Sequence, residues 1–201
     1  MDTLIGSEMT IGHRRPDEAE LVRRAKKRDE SAWAALYDSY YPLVFKYVLA
    51  HVGLREDAED LSSQVFLEAL KAIDSYAVRG RPVLGWLNGI ARTVIARRIR
   101  QRTKERRDKG ELNHQSASVG MSEMVIERLD LAQALTKLTV DQQEVIVLRF
   151  FLLMSIKETA EILGKSEGAV PVLQVRAIAA LRRHLSAGSL KRIVSPSEGT
   201  A

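Results

Sequence analysis

Residues 158–170 have the sequence ETAEILGKSEGAV, a short helical segment followed by Gly164 and a second helix start. Glycine is typical of a helix C-terminus, because it adopts the left-handed backbone conformation without strain. Ser155, with Glu158 three residues later, predicts a capping box at the start of the first helix, and Ser166 is expected to cap the second. This layout predicts a helix-turn-helix, whose second helix can enter the major groove of DNA.

The helix-turn-helix lies within a larger helical unit. Apolar residues from Val125 to Leu135 recur at helical spacing, and Thr139 with Gln142 three residues later predicts another capping box. The expected core between the motif's helices consists of Leu148, Phe150, Ile156, Ala160, Ile162, Leu163, Ala177, Ile178 and Leu181. Short helix pairs with a glycine turn also occur in plain helical bundles, so the motif alone leaves both interpretations open.

The first half of the chain shows the same periodicity, with apolar residues every three or four positions. This pattern predicts an all-α chain that needs no strands. We expect one helix after Pro16, then helices over 30–53 and 55–73, a loop over 75–82 and a helix over 83–99. Asp29 or Ser31 is expected to cap the helix over 30–53, and Pro42 is expected to kink or divide it.

Composition divides the chain into two small helical domains joined by a flexible linker. Residues 104–123 are polar and mixed with Gly and Ser, which is typical of a segment that cannot bury enough surface to become ordered. The predicted organisation is a flexible N-terminus (1–16), a first domain (17–103), the linker (104–123), a second domain with the helix-turn-helix (124–187) and a disordered tail (188–201).

The basic charge of the chain is local. The net charge is +5, but residues 92–109 hold nine Lys or Arg against Glu105 and Asp108, so this stretch carries +7 and the remainder −2. A local cluster suits a polyanion, because each neutralised phosphate releases counterions. The alternative is a solvated helix end or basic linker. Two tethered DNA-binding modules would gain affinity through effective concentration, which indicates a bipartite DNA site.

Several function classes are disfavoured by what the sequence lacks. There is no Cys, and the four His show no ligand-like pairing, so thiol, redox and zinc chemistry are nearly excluded and no cofactor is expected. No carboxylate pair, nucleophile-base arrangement or phosphate loop is present, so neither an enzyme nor a small-molecule substrate is expected. No apolar run or signal peptide indicates membrane insertion, and the protein is expected to be cytoplasmic.

Three stretches in the first half resemble the first conserved domain of the small bacterial sigma factors of the extracytoplasmic-function group. They are LYDSYYPLVFKYVLAHVG (36–53), DAEDLSSQVFLEALKAI (57–73) and GWLNGIARTVIARRIRQR (85–102), in the order and spacing of that family. Residues 138–185 resemble the family's second domain, so the resemblance covers residues 17–187. It implies a dissociable subunit that gives bacterial RNA polymerase its promoter specificity.

The resemblance implies a polymerase-binding helix that would dock on the coiled coil of the largest polymerase subunit. The matching residues are Asp57, Asp60, Leu61, Gln64 and Phe66. Asp57, Asp60 and Gln64 share one polar face, a display suited to a partner helix. The alternative is a solvated helix face.

The resemblance also assigns residues 75–100 to the minus-ten promoter element. The expected contacts with an unstacked base come from Arg79, Arg81 and Asn88, and those with phosphates from Arg92, Arg97, Arg98 and Arg100. Where the family commonly has Asn and then Asp, this chain has Thr93 and Arg97, so its minus-ten preference is expected to differ. Trp86 is expected in the core.

The helix-turn-helix is then assigned to the minus-thirty-five element. The expected contacts are Lys165, Ser166, Glu167, Ala169, Val170 and Gln174 near base edges or phosphates, and Arg176 on the backbone. Ala and Val can contact thymine methyls, and Gln can pair with adenine. Pro171 replaces the family's usual basic residue, which predicts a bent helix or a later helix start.

The expected partners are RNA polymerase core, promoter DNA and an anti-sigma factor that the linker would allow the domains to clamp. One rival is a helix-turn-helix regulator that never joins polymerase, which would leave the polar face of helix 55–73 unexplained. Another is a pure interaction protein with a soluble basic linker. That rival predicts no salt-dependent DNA affinity.

Overall fold

The computed structural model describes residues 18–77, 82–108 and 123–194, and all the regular structure within these ranges is helical. The helices are α1 (Glu18–Lys26), α2 (Glu30–Val52), α3 (Arg55–Ala72), α4 (Val83–Asp108), α5 (Glu123–Leu135), α6 (Val140–Ile146), α7 (Ile156–Leu163) and α8 (Ala169–Val194). A 3-10 turn (Ile73–Ser75) follows α3, and a π-helical turn (Val147–Phe151) continues α6. The predicted all-α class is confirmed. None of the described helices is long and apolar enough to cross a membrane.

The first helical unit, α1 to α4, is built around α2, which packs on α1, α3 and α4. Asp29 caps α2 by accepting hydrogen bonds from the backbone N–H groups of Ser31 and Ala32, as predicted. The Ser31 bond, with help from Arg24, lowers the pKa of Asp29 from 3.8 to about 2. The helix passes through Pro42 without being divided, because the residues after the proline, including Val44, are buried in the core.

The second helical unit, α5 to α8, begins its helices as local capping chemistry predicts, with one exception. Both capping boxes form, Thr139 with Gln142 and Ser155 with Glu158, and Gly164 ends α7 in the left-handed region at φ 64°. The exception is Ser166, which does not cap α8. Its carbonyl instead accepts the N–H of Ala169, the residue at which α8 begins.

Because α8 begins only at Ala169, Pro171 does not break a backbone hydrogen bond within the helix. The proline is the third residue of the helix, where a backbone N–H would have no partner within the helix. Of the two predicted outcomes, the structure has the later start.

Two helices run further than the sequence predicts. Helix α4 continues to Asp108, five residues into the predicted linker, with Gln101 donating to Glu105 one turn on. The backbone of α8 continues to Val194, into the predicted tail. Extending an existing helix costs little, which explains both errors. Residues 1–17, 78–81, 109–122 and 195–201 lie outside the described residues, and so do the predicted flexible N-terminus, most of the predicted linker and the end of the predicted tail.

The predicted core of the second unit is correct except at two positions. Phe150 is 48% exposed and Ile156 37% exposed, whereas the other seven residues are buried or half-buried. Phe150 lies in the π-helical turn, whose extra residue shifts the register and directs the ring outward. Ile156 is the first residue of α7.

Candidate nucleic-acid and protein interfaces

The polar face predicted on α3 is only partly presented at the surface. Asp57 is 7% exposed and accepts hydrogen bonds from Arg102 of α4 at 2.6 and 2.7 Å and from Arg98 at 3.3 Å. Its carboxylate therefore holds α3 against α4. Asp57 therefore faces α4 in this structure, which sequence spacing within one helix could not show, and its contact with a partner helix stays a prediction.

Leu61 and Phe66 are also buried, at 8% and 4% exposed, so neither is displayed to a partner. The Phe66 ring packs against Trp33, Tyr37 and Tyr41. These two residues belong to the core of the first unit and lie on the inner side of α3.

The face that α3 presents consists of Asp60, Gln64 and Leu67. Asp60 is exposed, and Gln64 is half-buried and donates to Glu68 at 2.9 Å. Leu67 is 53% exposed one further turn along the same face. Sequence reasoning missed Leu67, although its position seven residues after Asp60 is the signal that could have found it.

The residues predicted to hold an unstacked base are not displayed together. Arg79 and Arg81 lie outside the described residues. Asn88 is 2% exposed, and neither its amide nitrogen nor its amide oxygen has a hydrogen-bond partner within the described part of the chain. In this structure the Asn88 amide does not reach the surface, and its contact with a base stays a prediction. Trp86 packs against Tyr76 with ring centroids 5.0 Å apart and contacts the core, as predicted.

The predicted phosphate-binding arginines of α4 divide into two groups. Arg97 and Arg100 are exposed on the same face as the exposed Thr93, at positions i, i+4 and i+7. Arg97 lies 3.9 Å from Glu68, at the limit of an ion pair. Arg98 is bonded to Asp57, and Arg92 lies 3.6 Å from Glu144. The first group forms an open basic surface, whereas the second is engaged within the chain.

Two of the residues predicted to contact bases on α8 point into the protein. Val170 is fully buried. Gln174 lies on the same side of the helix and accepts a hydrogen bond from Arg149 Nε at 3.2 Å; Arg149 also donates to the Met154 carbonyl. In this structure Val170 belongs to the packed interior and Gln174 is half-buried and bonded to Arg149, and base contact by either residue stays a prediction.

The remaining predicted contacts lie at the turn or on the outer side of α8. Ser166, Glu167 and Arg176 are exposed, and Ala169 is half-buried. Lys165 is paired with Asp141 at 2.7 Å, which holds the turn against α6.

The outer face of α8 carries two residues that sequence reasoning missed. Val172 is 51% and Val175 68% exposed, and both lie beside Arg176 on the helix surface. Their positions opposite Val170 and Ala177 are the signal that could have found them.

The two helical units contact each other through α2, which packs on α5 and on the π-helical turn. At this contact, the Tyr47 hydroxyl donates to Glu144 Oε1 at 2.5 Å. Both side chains are buried, and burial together with the Glu144 charge raises the pKa of Tyr47 well above 10. Gly53 ends α2 at φ 77°, where an added Cβ would lie 3.1 Å from the Arg128 carbonyl oxygen.

Comparison with protein families gives two matches in the order of the helical units. Residues 36–105 match the model of Sigma-70 region 2, and residues 128–181 match that of Sigma-70, region 4. The ECF RNA polymerase sigma factor BldN of Streptomyces coelicolor is 37% identical over 190 residues, which cover 86% of this chain and 70% of that protein. The ECF RNA polymerase sigma factor SigD of Mycobacterium tuberculosis is 32% identical over 192 residues, covering 91% and 90%.

Solved structures give the same result for the fold. CnrH, solved in complex with the cytosolic domain of CnrY, superposes with a TM-score of 0.56 at 25% identity, covering 85% of this chain and 97% of that one. The sigma factor RpoE in complex with the anti-sigma factor NepR, from Bartonella quintana, gives a TM-score of 0.52 at 23% identity, covering 76% and 96%.

Proposed function

The chain belongs to the extracytoplasmic-function sigma factors of the sigma-70 family, and we propose that it contacts polymerase through α3 and promoter DNA through α4 and α8. As a sigma factor of this family, it binds core RNA polymerase and directs promoter-specific initiation of transcription. Sigma factors are initiation factors rather than catalysts. The observation that carries the assignment is the pair of region matches, one on each helical unit, in the family's order.

The polymerase contact is assigned to Asp60, Gln64 and Leu67 on the outer face of α3. A carboxylate, an amide and an exposed leucine along two turns suit a helix-to-helix contact that combines apolar burial with polar pairing. Asp57, Leu61 and Phe66 support this face from within the unit, since all three are buried behind it.

The minus-ten contact is assigned to the basic outer face of α4. Arg97 and Arg100 can each neutralise a phosphate, which gives affinity without sequence preference. Thr93 lies one turn before Arg97 on the same face and has a hydroxyl group, which donates to the Gly89 carbonyl in this structure. The minus-thirty-five contact is assigned to the outer face of α8, with Arg176 on the phosphates.

An anti-sigma factor completes the proposal. CnrH and RpoE were each solved with a partner, the cytosolic domain of CnrY and the anti-sigma factor NepR. We propose that this chain acts in the cytoplasm, where its polymerase and promoter are found, and that an anti-sigma factor holds it by its two domains, 17–103 and 124–187.

Binding of purified RNA polymerase core to the full-length protein tests the polymerase contact. Replacing Asp60 and Gln64 together by Ala should abolish capture of core, while Asp38→Ala, which removes an exposed carboxylate from α2, should leave it unchanged. Equal capture by the double variant would refute the assignment of the α3 face. Absence of capture by the unmodified protein would favour a free-standing DNA-binding regulator.

A further inference from the structure

The outer face of α8 exposes two valines whose side chains lie outside the hydrophobic core. Val172 is 51% and Val175 68% exposed, and they are three positions apart on the same face of the helix. Their side chains contribute little to the packed interior, which is built from Val170, Ala177 and Ala180 on the opposite side. A pair of branched apolar side chains at this place is free to contact a ligand.

The charge around these valines indicates a polyanionic ligand. Arg176 and Arg183 are exposed on the same face, and Arg182 is exposed beside it. The sequence of α8, residues 169–194, contains no Asp or Glu. A helix that combines exposed arginines with apolar side chains, placed second in a helix-turn-helix, matches the major groove, where phosphates flank base edges.

We propose that Val172 and Val175 are specificity-determining residues that contact thymine methyl groups in the minus-thirty-five element. The proposal rests on the proposed function and names the bases that this surface recognises. Thymine alone carries a C5-methyl group in the major groove, and an aliphatic side chain gains by packing on it. Valine has no hydrogen-bonding group, so its recognition of a base pair depends on this apolar contact.

The spacing of the valines sets the spacing of the thymines. Side chains three residues apart on a helix are separated by about 5–6 Å. Successive bases along one strand are about 3.4 Å apart. The two contacted thymines therefore lie one or two base steps apart, on one strand or on opposite strands.

The test begins with selection of promoters by the reconstituted holoenzyme, made from full-length protein and RNA polymerase core, from duplex DNA randomised across the minus-thirty-five region. In the best selected duplex, each thymine of that region is then replaced singly by deoxyuridine, which removes only the methyl group. We expect two replacements, one or two steps apart, to weaken holoenzyme binding about fourfold each, the effect of one buried methyl-sized group.

Variants of the two valines show which valine contacts which thymine methyl group. Val172→Ala should make binding insensitive to deoxyuridine at one of the two positions, and Val175→Ala at the other. Both side chains are exposed and alanine favours helix, so the variants should fold. Val140→Ala, which truncates a valine of α6 that is 54% exposed, is the matched control and should keep both sensitivities.

The outcomes separate this proposal from the function on which it rests. Selected promoters whose binding is unchanged by every deoxyuridine replacement would overturn the valine contacts and leave the sigma assignment intact. Weaker binding of both valine variants without any methyl dependence would assign the valines to a protein contact and also overturn the proposal. Failure of the holoenzyme to form or to select any promoter would overturn the proposed function and this proposal together.

Discussion

The Tyr47 hydroxyl of α2 donates a 2.5 Å hydrogen bond to the Glu144 carboxylate of α6 and so joins the two helical units. Arg92 of α4 lies 3.6 Å from the same carboxylate. Arg92 is one of the residues that the family resemblance assigns to promoter phosphates. A phosphate bound to Arg92 would share this guanidinium with Glu144, which links the inter-unit contact to promoter binding by Arg92.

Replacing Tyr47 by Phe should weaken the contact between the units. The change removes one donor from a buried carboxylate without altering the ring, and a hydrogen bond to a charged group contributes about 1.5–3 kcal/mol. We expect the free energy of unfolding in urea to fall by that amount. The chain has no Cys, so dyes on Asp38→Cys and Glu161→Cys, both exposed, should also report a larger distance between the units.

The control for this variant is Tyr37→Phe, which removes a hydroxyl from a half-buried tyrosine of the same helix. Its unfolding free energy and dye distance should match those of the unmodified protein. Equal behaviour of the two variants would show that the Tyr47 bond does not hold the units together.

His51 should make the stability of the protein depend on pH. Its Nδ1 donates to the Tyr47 carbonyl at 2.8 Å, and its Nε2 is buried without a partner among the described residues. Burial lowers the pKa of His51 below 6.5, and the nearby Arg92 charge adds to the effect. Below pH 6.5 the unfolded chain therefore binds a proton at His51 more readily than the folded chain does. The contribution of His51 to the free energy of unfolding is complete above pH 6.5 and declines as the pH falls below that value.

Urea unfolding between about pH 7.5 and about pH 5.5 measures this dependence. The unmodified protein should lose more stability over the interval than His51→Gln, which cannot be protonated. Parallel profiles for the two proteins would contradict the account of His51.

Two glycines in the left-handed region form a matched pair. Gly164→Ala should cost about 1–2 kcal/mol of unfolding free energy, because only the backbone conformation is strained and no atom lies within 4 Å of the added Cβ. Gly53→Ala should cost more, because its Cβ would also meet the Arg128 backbone of α5 at 3.1 Å. Equal losses would show that α2 and α5 do not approach this closely in solution.

Substitutions at Asp57 and Asp60 should distinguish a residue that stabilises the fold from a residue that binds polymerase core. Asp57→Asn weakens the bonds to Arg98 and Arg102, and we expect a loss of about 1–2 kcal/mol, since both guanidinium groups are partly exposed to water. Asp60→Ala should leave the unfolding free energy unchanged and weaken core binding. A stable Asp57→Asn protein with impaired core binding would instead make Asp57 a direct contact.

Pro171→Arg should strengthen promoter binding by the holoenzyme. Pro171 is exposed in the first turn of α8, so arginine fits there and adds a charge at the end of the helix that we assign to DNA. One additional phosphate contact should steepen the slope of log affinity against log salt by about one. Equal or weaker binding by the variant would refute this prediction.

The features that the sequence predicted correctly depend on neighbouring residues. The capping boxes at Thr139 and Ser155 and the helix end at Gly164 each need groups no more than a few residues apart. Such contacts form wherever the local sequence allows them, so the helix starts and the all-α class were predictable.

The features that the sequence missed depend on packing between distant segments. Asp57 is buried by Arg102, 45 positions later, and no pattern within α3 reveals that pair. On α8, Val170 and Val172 are the same residue type, and only the position of the neighbouring helices decides that the first is buried and the second exposed. Of the base contacts predicted on α8, Val170 therefore lies on the side of the helix that the fold buries.

Run-off transcription tests the central claim most directly. RNA polymerase core alone is compared with core plus the full-length protein on duplexes selected by the holoenzyme. We predict a discrete transcript that requires the protein and that Arg97→Ala with Arg100→Ala strongly reduces. Identical transcripts with and without the protein, while it remains folded and bound to core, would contradict the assignment of this chain as a promoter-specificity factor.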